Sequence, residues 1–321
     1  MRFSSITHPW KWLLLAVLFF NNLPSFAQEF AHAGEYWDAI MGEHDKVTKK
    51  SIEYISKSVH SENDRVIERK RLAVIKQLDA SLARLAEVGA FKKNDRFRKE
   101  ALAVLKEVKN VYTIEFKQAN DLQKSSKSSY VALERYYKTQ DRAEAKLSRA
   151  NKRFRNASRY FAKQNKIRII KSEDKEDPFA KMGEVNKYTR KLYLIEFKVS
   201  KANAGFQDAM KSRKASSMER NRKKVLAVSK EALGKLKAIK DFYGDKSYKK
   251  ATEQLVRFRY KFAKKEYAEL VKFTKNSKKL TRKDVKRANA IVNELNQKSQ
   301  KYINEFNLTA RALRQKHTPK Q

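Results

Sequence analysis

Four prolines constrain this chain more than any other feature, because they fall where long helices tolerate them. Pro9 and Pro24 lie near the N-terminus, Pro319 lies two residues from the last, and Pro178 alone interrupts the body. Proline inside a helix removes a backbone hydrogen bond and clashes with the preceding turn, at a cost of about 3 kcal/mol. The body on either side of Pro178 therefore reads as uninterrupted helix. A β-sandwich or barrel would need turn residues every ~8–12 positions, and seven glycines in 321 residues do not supply them. With 41% hydrophobic and 35% charged residues, the composition suits amphipathic helices burying one stripe each, whereas a disordered chain would lack the regularly spaced Leu, Ile, Val, Phe and Tyr. An all-α fold is predicted.

Comparison of the chain with itself shows apolar residues recurring at an offset of 151 positions. Glu68-Arg69-x-Arg71 matches Glu219-Arg220-x-Arg222, and without a gap Val74 meets Val225, Leu82 meets Leu233, Leu85 meets Leu236, Phe91 meets Phe242, Phe97 meets Tyr248 and Val104 meets Leu255. Upstream, the same offset pairs Trp37 with Tyr188, Ile55 with Phe206, Val59 with Met210 and Ile67 with Met218. Two chance basic helices would agree mainly at Lys and Arg; here the core-type positions agree. The expectation is two tandem copies of a long-helix, up-down bundle of about four helices each, residues 28–171 and 179–316, with an open, elongated coiled coil as the alternative.

Helix punctuation recurs as well. Ser61-x-x-Asp64, Ser216-x-x-Glu219 and Thr281-x-x-Asp284 have capping-box spacing. Gly89 and Gly244 sit at expected helix ends, where a left-handed residue is often needed, and Ser125 to Ser129 marks a further break. Long helices are predicted over 33–60 and 130–168; in the second, Leu147, Ala150, Phe154, Ala157 and Phe161 form one apolar seam at 3-4-3-4 spacing. The acidic stretch 172–178, ending in Asp177-Pro178, reads as the linker between copies, with Pro178 opening the next helix. Residues 317–321 form a tail.

The first residues resemble a secretory leader. Arg2 and Lys11 supply positive charge, Leu13 to Phe20 is apolar, and Ser25-Phe26-Ala27 places small residues at the −3 and −1 positions of a cleavage site after Ala27. The apolar run is shorter than the ~20 residues that span a bilayer; an uncleaved anchor is the competing reading. Export to the periplasm, the cell surface or the medium is thus expected for a signal peptide 1–27, with no transmembrane span once it is removed. The absence of cysteine suits an oxidising compartment but leaves stability to helix packing alone.

Catalytic inventory is thin, and no enzyme, cofactor or metal is predicted. Beyond the leader only His32, His44, His60 and His317 are available for acid-base work near neutrality. A ferritin-like metal site needs two Glu-x-x-His pairs, and Glu29-x-x-His32 is the single match. Glu43-His44-Asp45 and His60 with Glu62 place their side chains in divergent directions on a helix. No glycine-rich loop precedes a Lys-Ser/Thr pair. The aromatics interleaved with Lys and Arg read as core, since Phe91/Phe242 and Phe97/Tyr248 recur at matching positions.

Charge is the one functional signal. The chain carries 75 Lys and Arg against 36 Asp and Glu, a formal +39. The densest local cluster runs from Lys146 to Lys171, and within it Arg149, Arg153, Arg155, Arg159, Lys163, Lys166 and Arg168 make a candidate anion-binding ridge; Arg155, Arg159, Lys163 and Lys166 follow 4-4-3 spacing. The partners this chemistry suits outside the cytoplasm are polyanions: lipopolysaccharide, acidic polysaccharide or an anionic lipid surface. Lys outnumbers Arg by 51 to 24, which equally suits faces that merely solvate the protein, because lysine is a hydrated point charge rather than a bidentate fork. No motif for sequence-specific nucleic-acid reading is present. The expected function is a non-enzymatic exported helical scaffold or binding protein engaging anionic polymers through basic helix faces; the alternative is a small-ligand or client-binding bundle of the sensor or periplasmic chaperone type.

Overall fold

A computed structural model describes residues 30–60, 63–169 and 178–317. Within them the only elements are helices, and two isolated β-bridges close turns at Phe91/Asn94 and Phe242/Asp245. The all-α expectation holds. The helices are α1 (Ala33–His60), α2 (Asp64–Glu87), α3 (Arg96–Asn110), α4 (Phe116–Ser126), α5 (Tyr130–Gln164), α6 (Pro178–Lys211), α7 (Ala215–Lys237), α8 (Ser247–Lys264), α9 (Glu266–Lys275) and α10 (Arg282–His317). A π-helical turn, Val111–Glu115, joins α3 to α4, and a 3-10 turn, Ser277–Lys279, precedes α10. The leader 1–27, residues 172–177 of the acidic segment and the tail beyond His317 lie outside the described residues.

Local sequence explains most of the helix limits. Pro178 opens α6. Thr281 and Asp284 cap α10 reciprocally, the Asp284 amide donating to Thr281 Oγ1 at 3.2 Å while the Thr281 amide donates to Asp284 Oδ2 at 2.9 Å. Ser129 starts α5 by accepting from the Ala132 amide. Three expectations need correcting. Asn63 caps α2, its Oδ1 accepting from the Arg65 and Val66 amides, while Ser61 lies outside the described residues. Ser216 lies inside α7, which begins at Ala215 after the extended Lys214. The helix expected over 130–168 stops at Gln164, and Lys166 adopts a left-handed φ of 55°. Gly244 has φ 81° in its turn, but in the matching turn the left-handed residues are Lys92 and Lys93 rather than Gly89.

Successive helices fold back on one another. In the first set, Tyr36 at the start of α1 meets Phe91 beyond the end of α2, and Tyr54 near the end of α1 meets Phe116 of α4. α5 returns antiparallel to α1, with Trp37 Nε1 donating to Ser158 Oγ at 2.9 Å and His44 stacked on Phe154 at 3.8 Å. The seam residues Leu147, Ala150, Phe154 and Phe161 are all buried and Ala157 is partly so. In the second set Tyr188 meets Phe242, Phe206 stacks on Tyr267 and Tyr248 meets Phe306.

Positions 151 apart occupy matching places from α2 to α4 and from α7 to α9. Ile67 and Met218, Val74 and Val225, Leu85 and Leu236, Phe97 and Tyr248, and Val104 and Leu255 are buried in both sets; Leu82 and Leu233 are partly buried against their own cores. Outside those helices the match shifts by one residue. Tyr36, Ile40, Val47 and Tyr54 correspond to Tyr188, Leu192, Val199 and Phe206, as their ring contacts show. Trp37 is therefore not the counterpart of Tyr188, nor Ile55 of Phe206; the chain has one residue more between Tyr54 and Ile67 than between Phe206 and Met218, which moves the pairing.

An arginine recurs at the one place where each set breaks its helix ladder. The π turn of the first set leaves the Tyr112 carbonyl open, and Arg71 Nη1 donates to it at 2.7 Å while its Nε and Nη2 hold Glu68 at 2.9 and 2.6 Å. In the second set α8 ends at Lys264 and α9 begins at Glu266; there Arg222 donates to the Ala263 carbonyl at 3.1 Å and holds Glu219. Both pairs are separated by 151 positions, and the chemistry is the same: a guanidinium replaces the amide donor that a regular α-helix would have supplied.

Loss of that donor leaves a buried carbonyl unsatisfied. Arg71→Met should destabilise the protein by about 2–3 kcal/mol, and Arg222→Met by less, since Arg71 is 5% exposed and Arg222 16%; denaturant unfolding of the two variants compares them. The hydrogen bonds from Arg71 and Arg222 also hold the Glu68 and Glu219 carboxyls below their ordinary value of 4.5. A carboxyl depressed in the folded state stabilises it above the unfolded value and loses that contribution as pH falls through the folded one. Stability should accordingly be flat above about pH 5 and fall on acidification below about pH 4.5, and Glu68→Gln with Glu219→Gln should shallow that decline.

Candidate functional site

The expected ridge divides into two kinds of cation once its neighbours are placed. Arg153 on α5 is already engaged: its guanidinium holds Glu100 at 2.8 Å and Glu107 at 2.7 Å, both on α3. Lys146 is likewise paired, with Glu115 in the π turn. Arg155 is half-buried and has interactions of its own. Arg149, Arg159, Lys163, Lys166 and Arg168 are exposed, and no carboxylate among the described residues pairs with any of them. Lys166 and Arg168 lie past the end of α5, so the helical part of the 4-4-3 row stops at Lys163. Exposed Lys92 and Lys93 of the α2–α3 turn lie at the same end of the first set, since Phe91 packs on Phe161 and the Arg96 guanidinium lies 4.4 Å from the Tyr160 ring.

A second basic surface was missed by the sequence reading. Residues 272–287 contain eight Lys and Arg and one acid, Asp284. The signal was visible as a charge run, but the capping spacing of Thr281 and Asp284 accounted for the segment without it. In the structure this run turns from α9 into α10 beside the α6–α7 turn, because Thr274 Oγ1 donates to Met218 Sδ and Phe206 stacks on Tyr267. Arg213, Lys214, Lys275, Lys278, Lys279, Arg282 and Lys283 are all exposed there. The nearby carboxylates are committed elsewhere: Asp208 to Lys211, Glu219 to Arg222, Glu269 to Arg287, and Asp284 to the cap. The cations are left to solvent or to an external anion.

The two basic surfaces lie at opposite ends. α5 and α6 pack antiparallel, with the Tyr137 and Tyr193 rings 6.1 Å apart and Arg190 bonded to Asp141 at 2.6 Å and to Glu144 at 2.7 Å. Asn186 Nδ2 adds a bond to Glu144 at 3.0 Å. From that crossing Lys163 lies about 22 residues along α5 and Arg213 about 23 along α6 in the other direction, so the two surfaces stand roughly 70 Å apart at 1.5 Å per residue. The sets thus lie side by side and staggered, not end to end.

Burial raises the Glu144 carboxyl above its ordinary value even though the Arg190 charge and hydrogen bond oppose the shift. That is a structural ion pair rather than an acid-base couple, since both oxygens of Glu144 are held by Arg190. Of the other clusters weighed from sequence, only Glu43-His44-Asp45 lies wholly among the described side chains, and in it Asp45 approaches His44 Nδ1 at 3.7 Å. Glu43 turns inward to accept from Ser81 Oγ at 2.7 Å and pairs with Lys46, while His44 lies flat on Phe154. Among the described residues no group of three or more His, Asp or Glu side chains is placed to hold a metal ion, and no helix is long and apolar enough to cross a membrane. Comparison with family models, with curated proteins and with solved structures finds no match to this chain.

Proposed function

We propose that the chain is an exported, non-enzymatic helical scaffold, built from two copies of one unit of four helical rods (residues 28–171 and 179–316), α3–α4 and α8–α9 each making one broken rod, that engages anionic polymers at two basic ends. One observation carries the reading. Charges that serve the fold are paired with carboxylates, as at Arg71, Arg153, Arg190, Arg222 and Arg259, whereas the cations of 159–168 and of 275–283 are exposed and have no acidic partner among the described residues. Unscreened like charges held close together repel and destabilise the compact state, and a bound polyanion relieves that repulsion while releasing its own counterions. A flexible polymer such as lipopolysaccharide or acidic polysaccharide suits two surfaces roughly 70 Å apart better than a compact ligand does. Export rests on the leader-like pattern of residues 1–27, and duplication on the matched packing, breaks and arginines of the two halves.

Heparin, an extended polyanion, tests the surfaces directly. Its affinity should fall steeply and linearly with the logarithm of salt concentration. Replacing Lys275, Lys278, Lys279, Arg282 and Lys283 with Gln should weaken binding about tenfold or more at low salt and flatten the salt slope, while the thermal midpoint of the free protein holds or rises, because none of these side chains packs in the core and their mutual repulsion is relieved. Binding that ignores salt, or that survives these substitutions and the removal of Arg159, Lys163, Lys166 and Arg168, overturns the assignment. The address is tested separately: protein recovered from outside the cytoplasm should begin at Gln28 by intact mass, and a chain that keeps residues 1–27 refutes the cleavage.

A further inference from the structure

Where α5 and α6 cross, the two helix sets do not close on one another. They leave a cavity of about 540 Å³, within the size range of small-molecule sites. Five aromatic rings stand among its otherwise largely polar walls: Tyr136 and Tyr137 from α5, Tyr193 from α6, Tyr248 from α8 and Phe306 from α10. Its charge is one-sided, because Lys127, Arg190, Arg311 and Arg314 line it with Glu144 as the one lining carboxylate. Glu144 is already bound on both oxygens by Arg190, which Asp141 also holds. Arg311 is exposed at the rim with no carboxylate partner among the described residues.

We propose that this cavity binds a small amphipathic organic anion, with a planar or ring-bearing body against the tyrosines and one carboxylate, sulfonate or phosphate head at Arg311 and Arg314. The chemistry favours each half of that ligand. Tyrosine rings present apolar faces with polar edges, so they stack on a planar body and leave the phenols to hydrogen-bond. A guanidinium at the edge of such a site is more weakly hydrated than an ammonium and presents a planar fork to an oxyanion. Burial, reinforced by the neighbouring Arg190 and Arg311 charges, holds the Arg314 guanidinium below its ordinary value against the opposing effect of Tyr248 and Tyr137, and the exposed Arg311 one turn away is the cation open to an incoming anion. The site arises at the seam between the sets and is independent of the polyanion surfaces at the two ends.

The probe pair is 1-anilinonaphthalene-8-sulfonate and its uncharged analogue N-phenyl-1-naphthylamine, titrated by fluorescence against the intact protein. About 0.5 M sodium chloride suppresses adsorption of the sulfonate to exposed lysines, since the screening length there is only a few ångströms. The sulfonate should bind one site per chain at least tenfold more tightly than the analogue. Arg311→Gln with Arg314→Leu should erase that difference while retaining the analogue. Asn307→Trp, an exposed lining position, should block both probes. Arg311→Gln alone should reduce the preference at least threefold, and its exposed position keeps the fold intact if Arg314→Leu does not fold. No saturable sulfonate binding, equal affinity of the two probes for the unaltered protein, or binding unchanged by Asn307→Trp overturns the assignment.

Discussion

The placement of one half of the molecule against the other depends on Arg190. Its guanidinium bonds Asp141 and Glu144 across the α5–α6 contact; Arg190 and Glu144 are largely shielded from water, whereas Asp141 stands at the exposed edge of the pair. A buried pair of this kind contributes little net stability compared with an apolar contact, but breaking it costs several kcal/mol. It therefore works as a register lock. Sliding α6 by one turn along α5 would strand Glu144 and separate Tyr137 from Tyr193, so the stagger of the sets, the distance between their basic ends and the cavity between them all follow from that one contact.

Within each set, polar contacts select among packings that apolar burial alone would leave open. Leu, Val and Phe stripes tolerate small slips, since hydrophobic contact is not directional. Glu43 with Ser81 in one set, and Arg259 with Glu196 and Asn203 with Tyr267 in the other, do not tolerate them. The two sets share their apolar pattern but place these buried polar groups differently, which keeps each helix from docking on its counterpart in the wrong half.

Much of the architecture is legible from residue spacing. Proline placement and 3-4 periodicity identify the helices, and α1 and the start of α5 fall where the pattern puts them, because both signals are local. Caps are less legible: Asn63 and Ser61 offer similar chemistry two residues apart, and only backbone geometry chooses. The one-residue shift between Tyr36/Tyr188 and Ile67/Met218 escaped an ungapped comparison, since apolar residues also meet at the unshifted offset, Trp37 with Tyr188 and Ile55 with Phe206. The ridge was half visible. Arg149 and Arg159 need no partner to be recognised as exposed cations, but the engagement of Arg153 depends on Glu100 and Glu107, some fifty residues away. The cavity was invisible, because its walls come from helices whose relative register is set by Arg190 and by nothing periodic.

The broken ladder held by Arg71 and Arg222 has a wider consequence. One half resolves it with a π turn, the other with two helices meeting at Lys265, although the flanking core positions correspond. What the arginine recognises is an open carbonyl, not a particular helix geometry. Residues at the turn are thereby released from steric bookkeeping: Val111-Tyr112-Thr113 in one half stand where Phe262-Ala263-Lys264 stand in the other. A single long-range anchor of the same kind thus serves two different local chains, with the helices on either side holding matching places.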